Sequence, residues 1–204
     1  MIELSAAQRD AICEILNIAV GYSAASLNAM VGEEVSLSVP AVDVLTHDEA
    51  IERLSSGDAK KIAVKQRFQG HFSGKVLLIF PERRSLDLVR SITRDAVPLG
   101  NLTELEQEAL MEVGNIILNA YLGSIANQLG KSLESSLPIY LTGEVASFFG
   151  EATQSRDGTL VFFLQVDFAL RQKKIFGYVV IVMDLDSAHS FRNIVDEHVA
   201  AMCA

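Results

Sequence analysis

One combination of polar residues occurs twice in this chain at the same spacing. Each copy has an acidic residue, a Glu four positions later, an Asn three positions after that, and a Pro a further twenty-three positions on: Asp10, Glu14, Asn17 and Pro40, then Glu108, Glu112, Asn115 and Pro138. Every residue of the second copy lies 98 positions after its counterpart. At about 5% usage of each type, a Glu, an Asn and a Pro at these spacings should begin at roughly one position in ten thousand. Duplication would explain two copies, but most neighbouring residues differ while Glu, Asn and Pro persist.

The chemistry that such a Glu and Asn could perform is the positioning of a water molecule. A carboxamide donates and accepts hydrogen bonds without carrying charge, so it can orient water for attack on a phosphoryl group whose charge is neutralised elsewhere. A neighbouring Glu could anchor a cationic group of the same substrate. Glycoside hydrolysis would instead need two acids flanking a sugar cleft. Nothing in the pattern cradles phosphate or binds a metal, so the substrate must bring both.

The spacing of the first copy predicts a polar stripe on a helix. At about 100° per residue, Asp10, Glu14 and Asn17 lie within about 60° of one another. Gly21 and Ala24 face the same side, and such small residues would let another surface approach the helix backbone closely. The stripe therefore favours docking of a partner over simple solvation.

The second copy predicts a similar stripe with a different surround. Glu108, Glu112 and Asn115 repeat the arrangement, but the positions of the small residues are taken by Asn119, Leu122 and Gly123. The two sites should therefore be unequal.

A structural explanation competes with the functional one for each residue type. A single Asp or Glu on a helix is ordinarily solvated, and Pro40 and Pro138 could simply mark strand edges or bends. Asn is a poor helix-interior residue because its amide competes with the backbone. Two Asn at matching positions inside helices are therefore the least easily explained by structure.

Two long helices must carry these stripes. The capping boxes Ser5-x-x-Gln8 and Thr103-x-x-Glu106 predict helix starts, and apolar residues recur at helical spacing behind each stripe. The first helix should end near Gly32 and the second near Gly130. We expect helices over about 5–31 and 103–130, with boundaries good to about 2–4 residues.

Matching strands, a hairpin and a closing helix should follow each long helix. The apolar patterns predict extended runs at 35–40 and 133–141, hairpins of 61–68 with 74–81 and of 159–168 with 174–183, and helices at about 82–95 and 185–199. The predicted fold class is α/β (α+β). It is a single domain, 1–204, built from two helix-strand-hairpin-helix repeats of about 1–98 and 99–204, whose halves share one core about a pseudo-two-fold axis.

Composition excludes several functions. Of 204 residues 50% are hydrophobic and the net charge is −9, which argues against nucleic-acid binding because clustered Lys and Arg are missing. The N-terminus lacks signal character and no stretch is expected to reach membrane-spanning length, so we predict a cytoplasmic protein without membrane insertion. Cys13 and Cys203 lack CxxC spacing and fit free thiols. The histidines lack zinc spacing, and no phosphate loop, nucleophile elbow or dinucleotide motif occurs.

The repeated pattern resembles the signature of the CheC/CheX/FliY family of bacterial chemotaxis phosphatases. That signature is Asp or Ser, three residues, Glu, two residues, Asn, twenty-two residues and Pro. The first copy matches at every position, and the second departs from it with Glu108. The resemblance spans both halves and implies two long surface helices packed on a β-sheet. It also implies hydrolysis of the phospho-aspartate of a CheY-type response regulator.

The resemblance implies a role for each residue of the pattern. Glu14 and Glu112 would engage the active-site lysine of the regulator, and Asn17 and Asn115 would insert and position the hydrolytic water. The remaining candidates would serve docking: Asp10, Gly21, Ala24, Glu108, Pro40 and Pro138. The protein would need no cofactor or metal of its own, because Mg²⁺ would belong to the regulator. The receptor deamidase CheD is a second implied partner. The alternative is a non-catalytic adaptor that binds a response regulator or the flagellar switch.

Overall fold

The computed structural model describes residues 4–32, 34–38, 42–56, 60–93, 104–149, 159–170 and 173–202. The helices are α1 (Ala6–Val31), α2 (His47–Ser55), α3 (Glu82–Thr93), α4 (Glu104–Gln128), α5 (Val145–Phe149) and α6 (Leu185–Met202). The strands are β1 (Val35–Ser38), β2 (Val42–Leu45), β3 (Lys61–Gly70), β4 (Gly74–Pro81), β5 (Leu133–Ser135), β6 (Ile139–Gly143), β7 (Leu160–Leu170) and β8 (Lys173–Met183). The predicted long helices, hairpins and closing helices are confirmed. The short elements α2, α5 and β2 are not among the predicted ones.

The strands form one antiparallel sheet of eight strands. The hairpins β3–β4 and β7–β8 meet at its centre, where β4 pairs with β8. Strands β1 and β2 pair with the outer edge of β7, and β5 and β6 pair with the outer edge of β3. Each half of the chain thus adds its first two strands to the hairpin of the other half. This exchange gives the predicted pseudo-two-fold pattern, while the predicted repeat boundary near 98 lies outside the described residues.

The first long helix begins and ends as its sequence predicts. Ser5 Oγ accepts a hydrogen bond from the Gln8 amide at 3.2 Å, and Gln8 Oε1 accepts one from the Ser5 amide at 2.7 Å. Gly32 ends the helix at φ 69°, a left-handed conformation that costs glycine little. Thr103 of the second predicted capping box lies outside the described residues.

The main hydrophobic core lies on one face of the sheet, under α1, α3, α4 and α6. Because side chains alternate along a strand, Val76, Leu78 and Phe80 of β4 point into this core, while Leu77 and Ile79 point to the other face. The same alternation in β3, β7 and β8 makes both faces apolar. The continuous hydrophobic runs of the hairpins are therefore covered on both sides.

The other face of the sheet is covered by the short helices α2 and α5. Ala50 and Leu54 of α2 pack there with Phe148 of α5. The ammonium groups of Lys65 and Lys75 donate hydrogen bonds to the carbonyl oxygens of Phe148 and Phe149 at 3.3 and 3.1 Å. Cations are favourable at a helix C-terminus, so these contacts secure the end of α5.

Helix α4 corrects one expectation from the sequence. Among the described residues it is the helix long and apolar enough, by composition, to cross a membrane, whereas no such stretch was expected. Of its apolar window, 56% is buried inside the protein. Val113, Ile117 and Tyr121 face the main core, which is what a buried core helix requires.

Candidate functional site

The first candidate surface lies on the outer side of α1. Asp10, Glu14 and Asn17 are all exposed, while the opposite side of the helix is buried in the main core. Gly21 is exposed and Ala24 is half-buried, so the small-residue continuation of the stripe is also at or near the surface. The stripe predicted from the sequence is therefore accessible to another macromolecule.

Few internal contacts restrain this first surface. The side chains of Glu14 and Asn17 make no hydrogen bond or ion pair with any residue that the structure describes. Burial, reinforced by the Asp10 carboxylate, raises the pKa of the neighbouring Cys13 thiol, which keeps it protonated near neutral pH. The chemistry available on this surface is thus that of a free carboxylate and a free carboxamide.

The second candidate surface lies on α4 and is built differently. Glu108 and Glu112 are exposed, as in the first copy, but Asn115 is half-buried. Leu122 is buried in the core, which corrects the expectation that it lies on the polar side. The sequence predicts that the two surfaces differ, and the exposure of their residues differs most at Asn115.

Hydrogen bonds hold the Asn115 side chain. Its Oδ1 accepts one from Gln66 Nε2 of β3 at 3.0 Å and one from Asn119 Nδ2 at 2.8 Å. Asn119 Oδ1 accepts in turn from Ser135 Oγ of β5 at 2.9 Å. Gln66 Nε2 also donates to the carbonyl of Ser136 at 3.3 Å. Asn115 is thus fixed to the sheet beneath it.

A short apolar segment borders this network. Pro138 is half-buried between Leu137, which is 86% exposed, and Ile139, which is 48% exposed. This segment follows directly on Ser136, the acceptor of the Gln66 amide. Pro138 therefore lies beside the second surface, while Pro40 lies outside the described residues.

Sequence reasoning did not identify Gln66. It is 1% exposed and lies on the core face of β3, between Val64 and Phe68. The available signal was the alternation of β3, which places a polar side chain at position 66 on an otherwise apolar face. An unexplained polar residue at such a position is a candidate for a buried polar contact.

Metal chemistry finds no support in the described part of the chain. No group of three or more His, Cys, Asp or Glu side chains there is arranged to hold an ion.

The sequence has recognisable relatives. No protein-family profile matches the chain. Over 135 residues, 64% of the chain, it is 26% identical to the CheY-P phosphatase CheC of Bacillus subtilis, of which the match covers 64%. Over 139 residues, 67% of the chain, it is 25% identical to 36% of the flagellar motor switch phosphatase FliY of the same organism. The match therefore spans less than two thirds of the length of either relative.

Solved structures share the fold. FliY of Thermotoga maritima superposes with a TM-score of 0.77 at 18% identity, covering 97% of this chain and all of that one. A chain of the Helicobacter pylori FliM–SpeE complex superposes at 0.70 and 10% identity, with coverage of 96% and 98%. A chain of the Borrelia burgdorferi CheX–CheY–BeF3–Mg²⁺ complex superposes at 0.51 and 16%, with coverage of 81% and 96%.

These comparisons define the class of protein first by its fold. This chain shares its helices and antiparallel sheet with the FliY structure. Because the sequence identities to the solved structures are low, these structures establish the fold alone. The sequence matches add a second likeness. The chain is similar in sequence to CheC and FliY of Bacillus subtilis and in fold to FliY of Thermotoga maritima.

Proposed function

We propose that this protein hydrolyses the phospho-aspartate of a CheY-type response regulator. The observation that carries the proposal is the accessible Glu–Asn pair that recurs on both long helices, Glu14 with Asn17 and Glu112 with Asn115. One relative named as a CheY-P phosphatase and another named as a flagellar motor switch phosphatase support the reaction class. The complex of a structural neighbour, CheX, with CheY supports the class of partner.

The proposed division of labour leaves the phosphate and metal with the partner. An aspartyl phosphate is already reactive, and the charge of its phosphoryl group is neutralised by the regulator, with Mg²⁺ as in the CheX–CheY–BeF3–Mg²⁺ complex. What remains to be supplied is a water held in line with the bond that breaks. Asn17 and Asn115 would hold that water, and Glu14 and Glu112 would pair with a cationic group of the regulator.

The docking surface we propose is the rest of each stripe. Asp10 and Glu108 would extend the carboxylate row toward the N-terminal end of each helix. Gly21 and Ala24 would let the regulator approach α1 closely, and Pro138 with its apolar neighbours would contact it beside α4. Pro40, which the structure does not describe, is the docking residue that the pattern gives for the first half. Such a reaction would take place in the cytoplasm, and binding to CheD remains a further proposal.

A non-catalytic adaptor is the second candidate. The fold is compatible with it as well, because the FliM middle domain of Helicobacter pylori has the same fold at a TM-score of 0.65 and 10% identity. Turnover separates the two functions. An adaptor would leave the lifetime of the phosphorylated regulator unchanged or longer, whereas an enzyme in substoichiometric amounts would shorten it.

The test is phosphate release from a phosphorylated CheY-type receiver with catalytic amounts of protein. The variants are Asn17→Ala and Asn115→Ala, singly and together, with Asn127→Ala as the matched control because Asn127 is an exposed Asn on α4 outside the stripe. We expect each single variant to lose part of the activity, and the control to lose none. Stimulation of phosphate release by none of these proteins would refute the proposal and favour the adaptor.

A further inference from the structure

We propose that Gln66 is a positioning residue of the second site, one that fixes the Asn115 carboxamide with its Nδ2 directed outward. This inference rests on the proposed function for its catalytic consequence, but its geometric content stands on the hydrogen bonds alone. The first site has no corresponding residue, so the two sites would present their Asn side chains differently.

The orientation of each amide follows from one backbone carbonyl. The Ser136 carbonyl oxygen can only accept, so the group of Gln66 that faces it must be Nε2. The same Nε2 reaches Asn115, which must therefore offer Oδ1. Asn119 then offers Nδ2 to that oxygen and Oδ1 to the Ser135 hydroxyl. The polarity of the whole network is consistent, and a flip of any one amide would place like groups together.

The consequence for Asn115 is a fixed and accessible donor. Its Oδ1 already accepts two hydrogen bonds, and its Nδ2 makes none with the described residues. Among the described side chains the buried polar atoms without a partner are Gln66 Oε1 and the Tyr121 hydroxyl, so Asn115 Nδ2 is reached by solvent. A donor at this point can hold a water through one lone pair and leave the other free for attack.

Helix α4 can make this contact because it lies close to β3. A Cβ on Gly114 would come within 2.5 Å of Val64 Cγ1, so only glycine allows the observed approach. The counterpart of Gly114 in α1, 98 positions earlier, is Leu16, which is fully buried. Leu16 fills the position that glycine leaves open in α4, and Asn17 makes no hydrogen bond with any strand residue that the structure describes.

The strand residue of the first half that corresponds to Gln66 could not form a hydrogen bond with Asn17. Leu37 pairs with Phe168, and its counterpart Ser135 pairs with Phe68. Position 68 therefore corresponds to position 168, and Gln66 corresponds to Val166. The places of Asn119 and Ser135 are likewise taken in the first half by Gly21 and Leu37, which have no side-chain donor.

Stability does not explain why Gln66 is present. Its Oε1 is buried without a partner, which is unfavourable, and Val166 shows that an apolar side chain fills the matching position in the other half. The groups that Gln66 binds, a half-buried amide and the carbonyl of an exposed residue, could be solvated without it. The burial of the Gln66 amide is therefore explained by its orientation of the Asn115 side chain.

The kinetic test isolates the second site in the Asn17→Ala protein. There, Gln66→Met keeps the length and removes both donated hydrogen bonds, and Val166→Met is the matched control in the other half. We expect Gln66→Met to lower kcat for phosphate release about three- to tenfold with little change in KM. This factor corresponds to the free energy needed to immobilise one polar side chain, which the Asn115 carboxamide would then have to supply. The control should leave both constants unchanged. Unchanged kcat in a folded Gln66→Met protein would overturn the inference, whereas absence of turnover in the unsubstituted protein would overturn the proposed function.

A spectroscopic measurement tests the geometry without activity. The side-chain amide ¹⁵N–¹H signals of Asn115 in the unsubstituted protein should report a more rigid group than those of Asn17. Gln66→Met should reduce that rigidity to the level of Asn17. An Asn115 amide as mobile as that of Asn17 before any substitution would overturn the inference, and this outcome does not depend on whether the variant folds.

Discussion

The two long helices carry the same polar stripe but present it in different ways. On α1, Glu14 and Asn17 lie on an exposed face and make no hydrogen bond or ion pair with the described residues. On α4, Glu112 is equally exposed while Asn115 is bound to Gln66 and Asn119. The two copies of the pattern therefore have the same chemical groups under different restraint. The restraint on Asn115 comes from residues outside the pattern, above all Gly114 and Gln66.

Truncating Leu16, the counterpart of Gly114 in α1, should have the largest effect on stability. Leu16 is 1% exposed in the main core. Truncation in Leu16→Ala should destabilise the fold by about 2–5 kcal/mol, because a cavity adds to the lost burial. Chemical denaturation measures this change. A cost below that range would mean that α1 and its neighbours close the cavity by repacking.

The second-largest loss of stability should come from forcing α4 away from β3. Gly114→Ala places a methyl group 2.5 Å from Val64 Cγ1, so helix and strand must separate. We expect a loss of about 1–3 kcal/mol from overpacking. The side-chain amide signals of Asn115 should also report a more mobile group, since Gln66 Nε2 would no longer reach Asn115 Oδ1. Unaltered stability together with rigid Asn115 signals would contradict the account of close approach.

The buried hydroxyl of Tyr121 provides a prediction of opposite sign. Tyr121 lies 98 positions after Ser23, whose hydroxyl donates to the Ala19 carbonyl at 2.8 Å, whereas the Tyr121 hydroxyl has no partner among the described residues. Tyr121→Phe should therefore be neutral or stabilise by up to about 1 kcal/mol. A loss of more than about 1 kcal/mol would mean that the hydroxyl is satisfied, for instance by a water.

The same residue should make stability depend on alkaline pH. Burial raises the pKa of Tyr121 in the folded protein, whereas an unfolded tyrosine ionises near pH 10. Above about pH 10 the unfolded chain therefore loses a proton that the folded chain keeps, and stability falls as pH rises. Denaturation midpoints between pH 8 and 11 should fall more steeply for the natural protein than for Tyr121→Phe. Parallel profiles would contradict this.

The smallest effect should come from the outer acid of the second stripe. Glu108 departs from the Asp or Ser of the family signature and is exposed. In the Asn17→Ala protein, Glu108→Asp should change kcat/KM for phosphate release by about one- to fivefold, the range that an exposed ion pair supports. An effect of a hundredfold would make Glu108 a central group of the site rather than a docking residue.

Periodicity and spacing were sufficient to predict the elements that carry the site. The capping box at Ser5 and the helical recurrence of residues such as Ile12 and Leu16 predict α1, and the apolar runs around Gly74 and Gly177 predict the hairpins. These are local patterns, so they can be read from neighbouring residues. The exposure of Asn17 follows from the same helical period.

The rest depends on contacts between distant segments. The exchange of β1 and β5 between the halves has no local signature, because either hairpin edge would suit them. The contact of Gln66 with Asn115 requires the close approach that Gly114 permits, and that approach exists only once α4 is packed on β3. Sequence could place each of these residues on its element but not opposite one another.

The most direct test of the central claim is the lifetime of a phosphorylated CheY-type receiver in the presence of catalytic amounts of the Asn17→Ala, Asn115→Ala double variant. Since both carboxamides that would align water are removed, we predict a loss of at least about a hundredfold in stimulated phosphate release, with thermal unfolding close to that of the natural protein. A double variant that is folded and releases phosphate as fast as the natural protein would contradict the account.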